Sequence, residues 1–362
     1  MGVSILAWTA AALLFSLVRL YGVEEETLYR LQASPRSVWS VILMQGLVAG
    51  LMFGLLFSWL NLLLDHYTSR RTPYWVLIGL YTLGHIMLAL LVVIISLRIP
   101  QAMHSQSELF SWREALEQGP FSKTALVVVI YTGVLSVLFN LIRQINHLIG
   151  PGVLFNLLTG KYHRPQEEER IFMFLDLKSS TTYAERLGHV LYSELIQDCF
   201  VDLTEAIEKH EVEVYQYVGD EAVLTWRPEE GLAHNNCLEA YFTFEASIQA
   251  RAPYYFNKYD LVPAFKAGVN LGLVMVAEVG VIKKEIAYHS DVLSTGARIQ
   301  GQCNHLNQRL LISSALCERL EDPSPYLIAE EGHFQLRGKE QEIKLLSVKK
   351  RREVKRPFAF SE

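Results

Sequence analysis

The sequence predicts two parts in series. An all-α transmembrane anchor comes first. An α+β domain follows, with the core order β-α-β-β-α-β of a ferredoxin-like sheet covered by helices on one face. Three observations predict this. Long apolar runs crowd the chain before about residue 150, and the composition after it is that of a soluble domain. From residue 171 onward, strand-like and helix-like patterns alternate. Two of the strand ends carry carboxylates, Asp176 and Asp220, each beside turn-forming residues. The boundaries that follow are 1–148 for the anchor, 149–169 for a linker, 170–350 for the α+β domain and 351–362 for a tail.

In the first part the apolar segments run 3–20, 38–64, 74–97 and 122–145. The last three are long enough to cross a bilayer, which takes about 20 residues. The first is shorter and carries Arg19 near its end, but it has neither a basic leader nor a small-residue cleavage site, so it is read as a fourth span. Four spans put both ends of the anchor on one side. Lys/Arg placement supports an inner location weakly: Arg70 and Arg71 fall in a loop assigned inside, Arg30 and Arg36 in one assigned outside. The outer segments carry Glu24–Glu26, Glu108, Glu114 and Glu117. His85 is the most interior polar residue, and either an interhelical hydrogen bond or a bound ligand explains it. Asn61 is a second polar group in a span. Asn140, Arg143 and His147 sit at the inner end of the fourth span, where snorkelling accounts for them.

The linker opens on Gly150-Pro151-Gly152 and ends in Pro165 and an acidic run; the Gly-Pro-Gly break and Pro165 both interrupt a helix. Val153, Leu154, Leu157 and Leu158 form an apolar face suited to the same element of a second chain. The formal net charge of −5 and the lack of a basic stripe with interleaved aromatics give no sign of nucleic-acid binding. The basic cluster Lys349–Arg352 reads as a solvated tail. The four cysteines, Cys199, Cys237, Cys303 and Cys317, form no CxxC pair and indicate neither zinc nor a disulfide framework.

In the second part a strand ends at Asp176 within IFMFLDLKSSTT. A helix is expected over 183–210. A hairpin, 212–218 and 222–226, turns at Gly219-Asp220-Glu221. A second helix follows over 231–250. Strands at 264–271 and 274–279 meet near Gly272, and a third helix lies at 292–303. A carboxylate at a strand end beside a helix start suits a metal and phosphate site, because the acid supplies a hard oxygen and the helix start supplies free N–H groups. Asp176 as a helix cap and Asp220 as an ordinary turn residue are the alternatives. Within one ferredoxin-like sheet the two strands are neighbours, so the two acids meet, and paired acids at one rim call for cations between them.

These motifs resemble the class III nucleotide cyclases over roughly residues 165–350. FLDLKSSTT is similar to the family's first metal-binding strand and turn, and YVGDEAV to its hairpin. The resemblance implies two Mg²⁺ or Mn²⁺ ions per site, held by Asp176, Asp220 and the backbone of Leu177. It implies nucleotide contacts from Leu177, Lys178, Ser179, Ser180 and Thr181, with the amides of Leu177 and Lys178 beside the triphosphate. HSDVLSTGARIQ resembles the helix that bears the transition-state arginine, Arg298, with Ser294 where an asparagine usually contacts the ribose. LRGKEQEIKLL resembles the late hairpin whose basic residue reaches the triphosphate, Arg337 first and Lys339 second. Gln216 and Ala287 fall at the purine pocket and decide no base. The four-span anchor and linker are similar to membrane-bound bacterial members, which implies an inner-membrane, multi-pass protein with a cytoplasmic catalytic domain.

The family also implies a homodimer, with one chain lending the aspartates and the other the arginine helix. The expected reaction is conversion of ATP to cyclic AMP and pyrophosphate. Ser294, Ser290 and Gly296 depart from the pattern, so a cyclase-like receptor that binds nucleotide with little or no turnover is the first alternative. Guanylate or diguanylate cyclase is the second. Gly219-Asp220-Glu221 mimics part of the diguanylate signature, but Tyr217-Val218 precedes it where a second glycine is needed, and the arginine helix has no place there. The signal sensed by the anchor, a membrane or extracytoplasmic ligand included, is not legible in these residues.

Overall fold

The computed structural model describes residues 2–21, 35–67, 72–104, 123–150, 152–335 and 342–351. The loop charges at 24–26, 30, 70–71, 108, 114 and 117, the side chains of Arg19 and Arg36, Arg352, and both Arg337 and Lys339 lie outside the described residues. The chain divides into two compact units, Met1–Leu148 and Ile149–Glu362.

Among the described residues the first unit holds four helices: α1 (Gly2–Tyr21), α2 (Pro35–Tyr67), α3 (Tyr74–His104) and α4 (Lys123–Ile149). Three carry stretches long and apolar enough to cross a membrane, Gly46–Leu64, Tyr74–Leu91 and Leu126–Ile149. The fourth span read from the sequence does not meet that measure. The apolar part of α1 is Ser4–Val18, about 22 Å at 1.5 Å per residue against about 30 Å of hydrocarbon. α1 lies against a glycine stripe on α2. A Cβ added to Gly50 would come within 2.7 Å of the Thr9 Cα, and one on Gly54 within 2.8 Å of the Ile5 Cα. The two backbones approach closely because these glycines have no side chain.

His85 is buried and shares a 2.7 Å hydrogen bond, through Nδ1, with Ser136 Oγ. The rings of Trp8 and Phe57 pack on its imidazole. Of the two readings for this residue, the interhelical hydrogen bond is the one observed. Asn140 does not snorkel. It is buried and donates to the Ser136 carbonyl at 2.8 Å. Arg143 lies over the Tyr81 ring at 5.4 Å.

The second unit opens with a short helix, α5 (Val153–Thr159), none of whose residues is buried. β1 (Gln166–Leu177) follows. The acidic run 167–169, expected in the linker, is therefore strand. It pairs with the far end of a long β4 (Phe265–Val279), and Glu168 within it has local partners. Glu168 accepts from Tyr162 Oη at 2.7 Å and Lys161 Nζ at 3.0 Å, and from Arg170, whose guanidinium is buried. Burial alone would raise the Glu168 pKa, but these donors outweigh it and hold the group at about 2.

The remaining elements are α6 (Ser180–Lys209, broken at Gly188), β2 (Glu213–Val218), β3 (Glu221–Trp226), α7 (Pro228–Leu232), α8 (Asn236–Ala250), α9 (Ala252–Tyr259), β5 (Glu285–His289), α10 (Asp291–His305), β6 (Leu310–Ser313), α11 (Ser314–Cys317), β7 (Tyr326–Phe334) and β8 (Ile343–Lys350). Among the described residues they form one mixed sheet in the order β2-β3-β1-β4-β6-β8-β7, with β5 paired to β4. The expected break near Gly272 is absent, and β4 runs straight through it. A Cβ there would meet Val292 of α10 at 2.6 Å, so the glycine serves close packing of the helix and not a turn.

β1 is apolar on both sides because both sides are covered. Ile171, Met173, Leu175 and Leu177 enter the main core with residues of α6, α8 and α9. Each such side chain contributes about 1.5–3 kcal/mol by burial. Phe172 and Phe174 face the other way and pack with Val223, Val276 and Val292. Helices on one face only was thus incomplete, because α10 covers part of the opposite face. The basic cluster near the C-terminus is not all tail. Lys349 and Lys350 lie in β8, and Lys350 pairs with Glu239 at 2.7 Å.

Candidate active site

The site is built on one row of the sheet. In register, Asp176 of β1 stands between Glu221 of β3 and Lys266 of β4. Asp220 occupies the β2–β3 turn one residue before Glu221, next to Gly219, whose φ of 62° the turn requires. Asp176 and Asp220 therefore lie at the same end of adjacent strands.

Burial pushes the Asp176 pKa up, and the negative charge of Asp220 adds to this; Lys266 and Gln300 oppose it. Burial also raises Glu221, with Asp176 and Asp220 contributing. Lys266, itself buried, sits 3.2 Å from Asp176 Oδ2. Gln300 of α10 donates to the same Oδ2 at 2.7 Å. Oδ1 accepts no hydrogen bond among the described residues. Asp220 Oδ2 is buried and has no hydrogen-bond partner among the described residues.

A buried carboxylate oxygen without a donor, beside a second acid with a free oxygen, is a donor set that fits a hard divalent cation. It contains two opposed acids and a flanking third, Glu221. Among the described residues no group of three or more His, Cys, Asp or Glu converges as a self-contained metal cage. A cation held here would take its remaining ligands from elsewhere.

The other expected site residues fall as follows. Leu177 is buried at the end of β1. The Lys178 N–H is not free for a phosphate, because it donates to the Ala264 carbonyl at 2.8 Å. Ser179 turns the chain with a φ of 62°, and Ser180 and Thr181 open α6. Ser294 is half-buried and its hydroxyl donates to the Asp291 carbonyl at 2.9 Å. Arg298 is half-buried on α10 and makes no hydrogen bond or ion pair among the described residues. Gln216 is exposed beside a bulge in β2, and Ala287 lies on β5. Their neighbours Tyr215 and Tyr288 meet, with ring centroids 5.0 Å apart, while Gln216 and Ala287 make no hydrogen bond to each other.

Lys266, Gln300 and Glu221 escaped the sequence reading. A lone lysine inside the apolar strand AFKAGVN was the one available signal.

Residues 163–348, just over half the chain, match the family described as Adenylate and Guanylate cyclase catalytic domain. The chain belongs to that family. It is 33% identical over 224 residues to Adenylate cyclase 2 of Rhizobium meliloti (strain 1021), an alignment that covers 62% of this chain and 62% of the relative. The match thus spans less than two thirds of that relative's length. Two solved structures of a bacterial light-regulated adenylyl cyclase share the fold at 17% identity. One has a TM-score of 0.53 and covers 63% of this chain and 67% of that one. The other has a TM-score of 0.52 and covers 62% and 65%.

Proposed function

We propose that this chain is a membrane-anchored adenylate cyclase that works as a homodimer and converts ATP to cyclic AMP and pyrophosphate. The observation that carries the reading is the carboxylate pair, with Asp220 Oδ2 buried beside Asp176 and without a hydrogen-bond partner among the described residues. The family membership and the Rhizobium meliloti relative support the choice of reaction and of ATP. The three long apolar helices support the membrane anchor, with the α+β unit on the cytoplasmic side where nucleotide is found. The short helix α5, none of whose residues is buried and whose Phe155 and Leu158 are exposed, supports a linker that meets its counterpart in the second copy.

The substrate's 3′-hydroxyl attacks its own α-phosphate, so the chain's task is to hold a near-attack geometry. Asp176 and Asp220 would hold Mg²⁺ or Mn²⁺, which would supply a lowered pKa for the attacking hydroxyl and positive charge against the leaving pyrophosphate. Arg298, which makes no hydrogen bond or ion pair among the described residues, reaches across the interface and offsets charge growing on the α-phosphate. The start of α6 at Ser180 and Thr181 offers N–H groups to phosphate oxygens. Arg337, with Lys339 second, binds the terminal phosphates. Gln216 and Ala287 flank the base.

One observation favours a second reading, a receptor that binds nucleotide with little turnover. The Ser294 hydroxyl is already spent on the Asp291 carbonyl. Product analysis separates these readings. The full chain is incubated with ATP or GTP in Mn²⁺, and the products are identified. Cyclic AMP and pyrophosphate from the wild type, with none from Asp176→Ala, is the expected result. Cyclic GMP or a cyclic dinucleotide would assign another cyclase, and binding without pyrophosphate release would favour the receptor.

A further inference from the structure

We infer that Gln300 is a positioning residue for the metal-binding carboxylate of its own subunit. The inference rests on the reading of Asp176 as a cation ligand.

The argument starts from the two oxygens of Asp176. Oδ2 takes both bonds, from Gln300 Nε2 at 2.7 Å and from Lys266 Nζ at 3.2 Å. Oδ1 takes none among the described residues and stays available. A carboxylate held by one oxygen from two directions cannot rotate freely, so the other oxygen keeps a fixed direction. The two holding groups differ in kind. Lys266 supplies charge and comes from the neighbouring strand, in register with Asp176. Gln300 supplies a neutral donor with defined geometry, and it is 7% exposed.

Gln300 reaches Asp176 because α10 lies almost on the sheet. A Cβ on Gly268 would meet the Gln300 amide nitrogen at 2.2 Å, and a Cβ on Gly296 would meet the Phe174 ring at 2.8 Å. The backbone at Gln300 is therefore clamped, and its side chain extends from a fixed origin. Arg298 stands two residues earlier on the same helix. One face of α10 thus steadies the acid of its own subunit, while the arginine projects elsewhere. Donors that orient a metal ligand from behind typically change metal affinity tenfold or more when removed.

The test is Mn²⁺ binding by the full chain, read as free Mn²⁺ by electron paramagnetic resonance in the presence of a non-cyclisable ATP analogue. Four proteins are compared: wild type, Asp176→Ala, Arg298→Ala and Gln300→Leu. Gln300→Asn retains the amide but falls short of Oδ2, and serves if the leucine variant does not fold. The expected result is loss of site binding in Asp176→Ala, wild-type binding in Arg298→Ala, and about tenfold weaker binding in either Gln300 variant. In turnover the half-saturating Mn²⁺ rises to match, while the rate at saturating Mn²⁺ stays near wild type. Wild-type Mn²⁺ affinity in the Gln300 variants, or a fall in saturated rate alone, would overturn the inference. Wild-type binding by Asp176→Ala would instead overturn the metal reading beneath it.

Discussion

Gly268→Ala tests the placement of α10 most directly. Gly268 lies in β4, opposite Phe174 of β1. A Cβ built on it stands 2.2 Å from the Gln300 nitrogen, 2.7 Å from its Cα and 2.8 Å from the Gly296 carbonyl oxygen. All three are backbone atoms, so no side-chain rotation relieves the clash. Ordinary contact begins near 3.4 Å, and the helix must retreat by more than ~1 Å. Overpacking of this kind costs about 1–3 kcal/mol, or about 3–10 °C in the melting of a domain this size. The retreat also draws Gln300 away from Asp176 and moves Arg298, so turnover falls by more than stability alone explains. Gly301→Ala is the control. Nothing lies within 4 Å of its added Cβ, and Ala in a helix is favoured over Gly by about 1 kcal/mol. Thermal melting followed by near-ultraviolet circular dichroism, with cyclase assays on the same samples, reads both effects. If Gly268→Ala melts and turns over as the wild type does, α10 does not lie on β4 as described.

Two further outcomes are expected. Asp176 and Glu221 have raised pKa values, from burial first and then from neighbouring negative charge, so their folded forms take up protons above the ordinary carboxylate range. Within that window the folded state binds more protons than the unfolded one, and stability falls as pH rises through it while turnover increases. Added Mn²⁺ competes with those protons, so the acid limb of the rate profile moves to lower pH; a limb insensitive to Mn²⁺ would separate it from these acids. In the helical unit, Gly50→Leu forces α1 off α2, since the added side chain begins 2.7 Å from the Thr9 Cα. A cysteine placed at buried Ala11 then reacts faster with a maleimide than in the parent, and an unchanged rate would refute the close helix contact.

Local pattern was enough for much of this protein. Apolar runs in the first unit, the strand that ends at Asp176 and the turn at Gly219-Asp220 each announce themselves, because burial and turn chemistry act over a few residues. The same local signals misjudge reach. The short apolar stretch of α1 looked like a span, and Gly272 looked like a turn, although its role is to admit Val292. The acidic run 167–169 looked like solvated linker, since nothing nearby in the chain reveals that it pairs as a strand with residues 273–275 of β4.

The sequence by itself determined that there are two units, that the second belongs to the cyclase family, and that two acids stand at strand ends. Only tertiary structure decided which side chains surround them. Gln300 lies 124 residues from Asp176, and Lys266 arrives through strand register. Contacts of that kind depend on pairing and helix packing across the whole sheet, and no short-range periodicity encodes them.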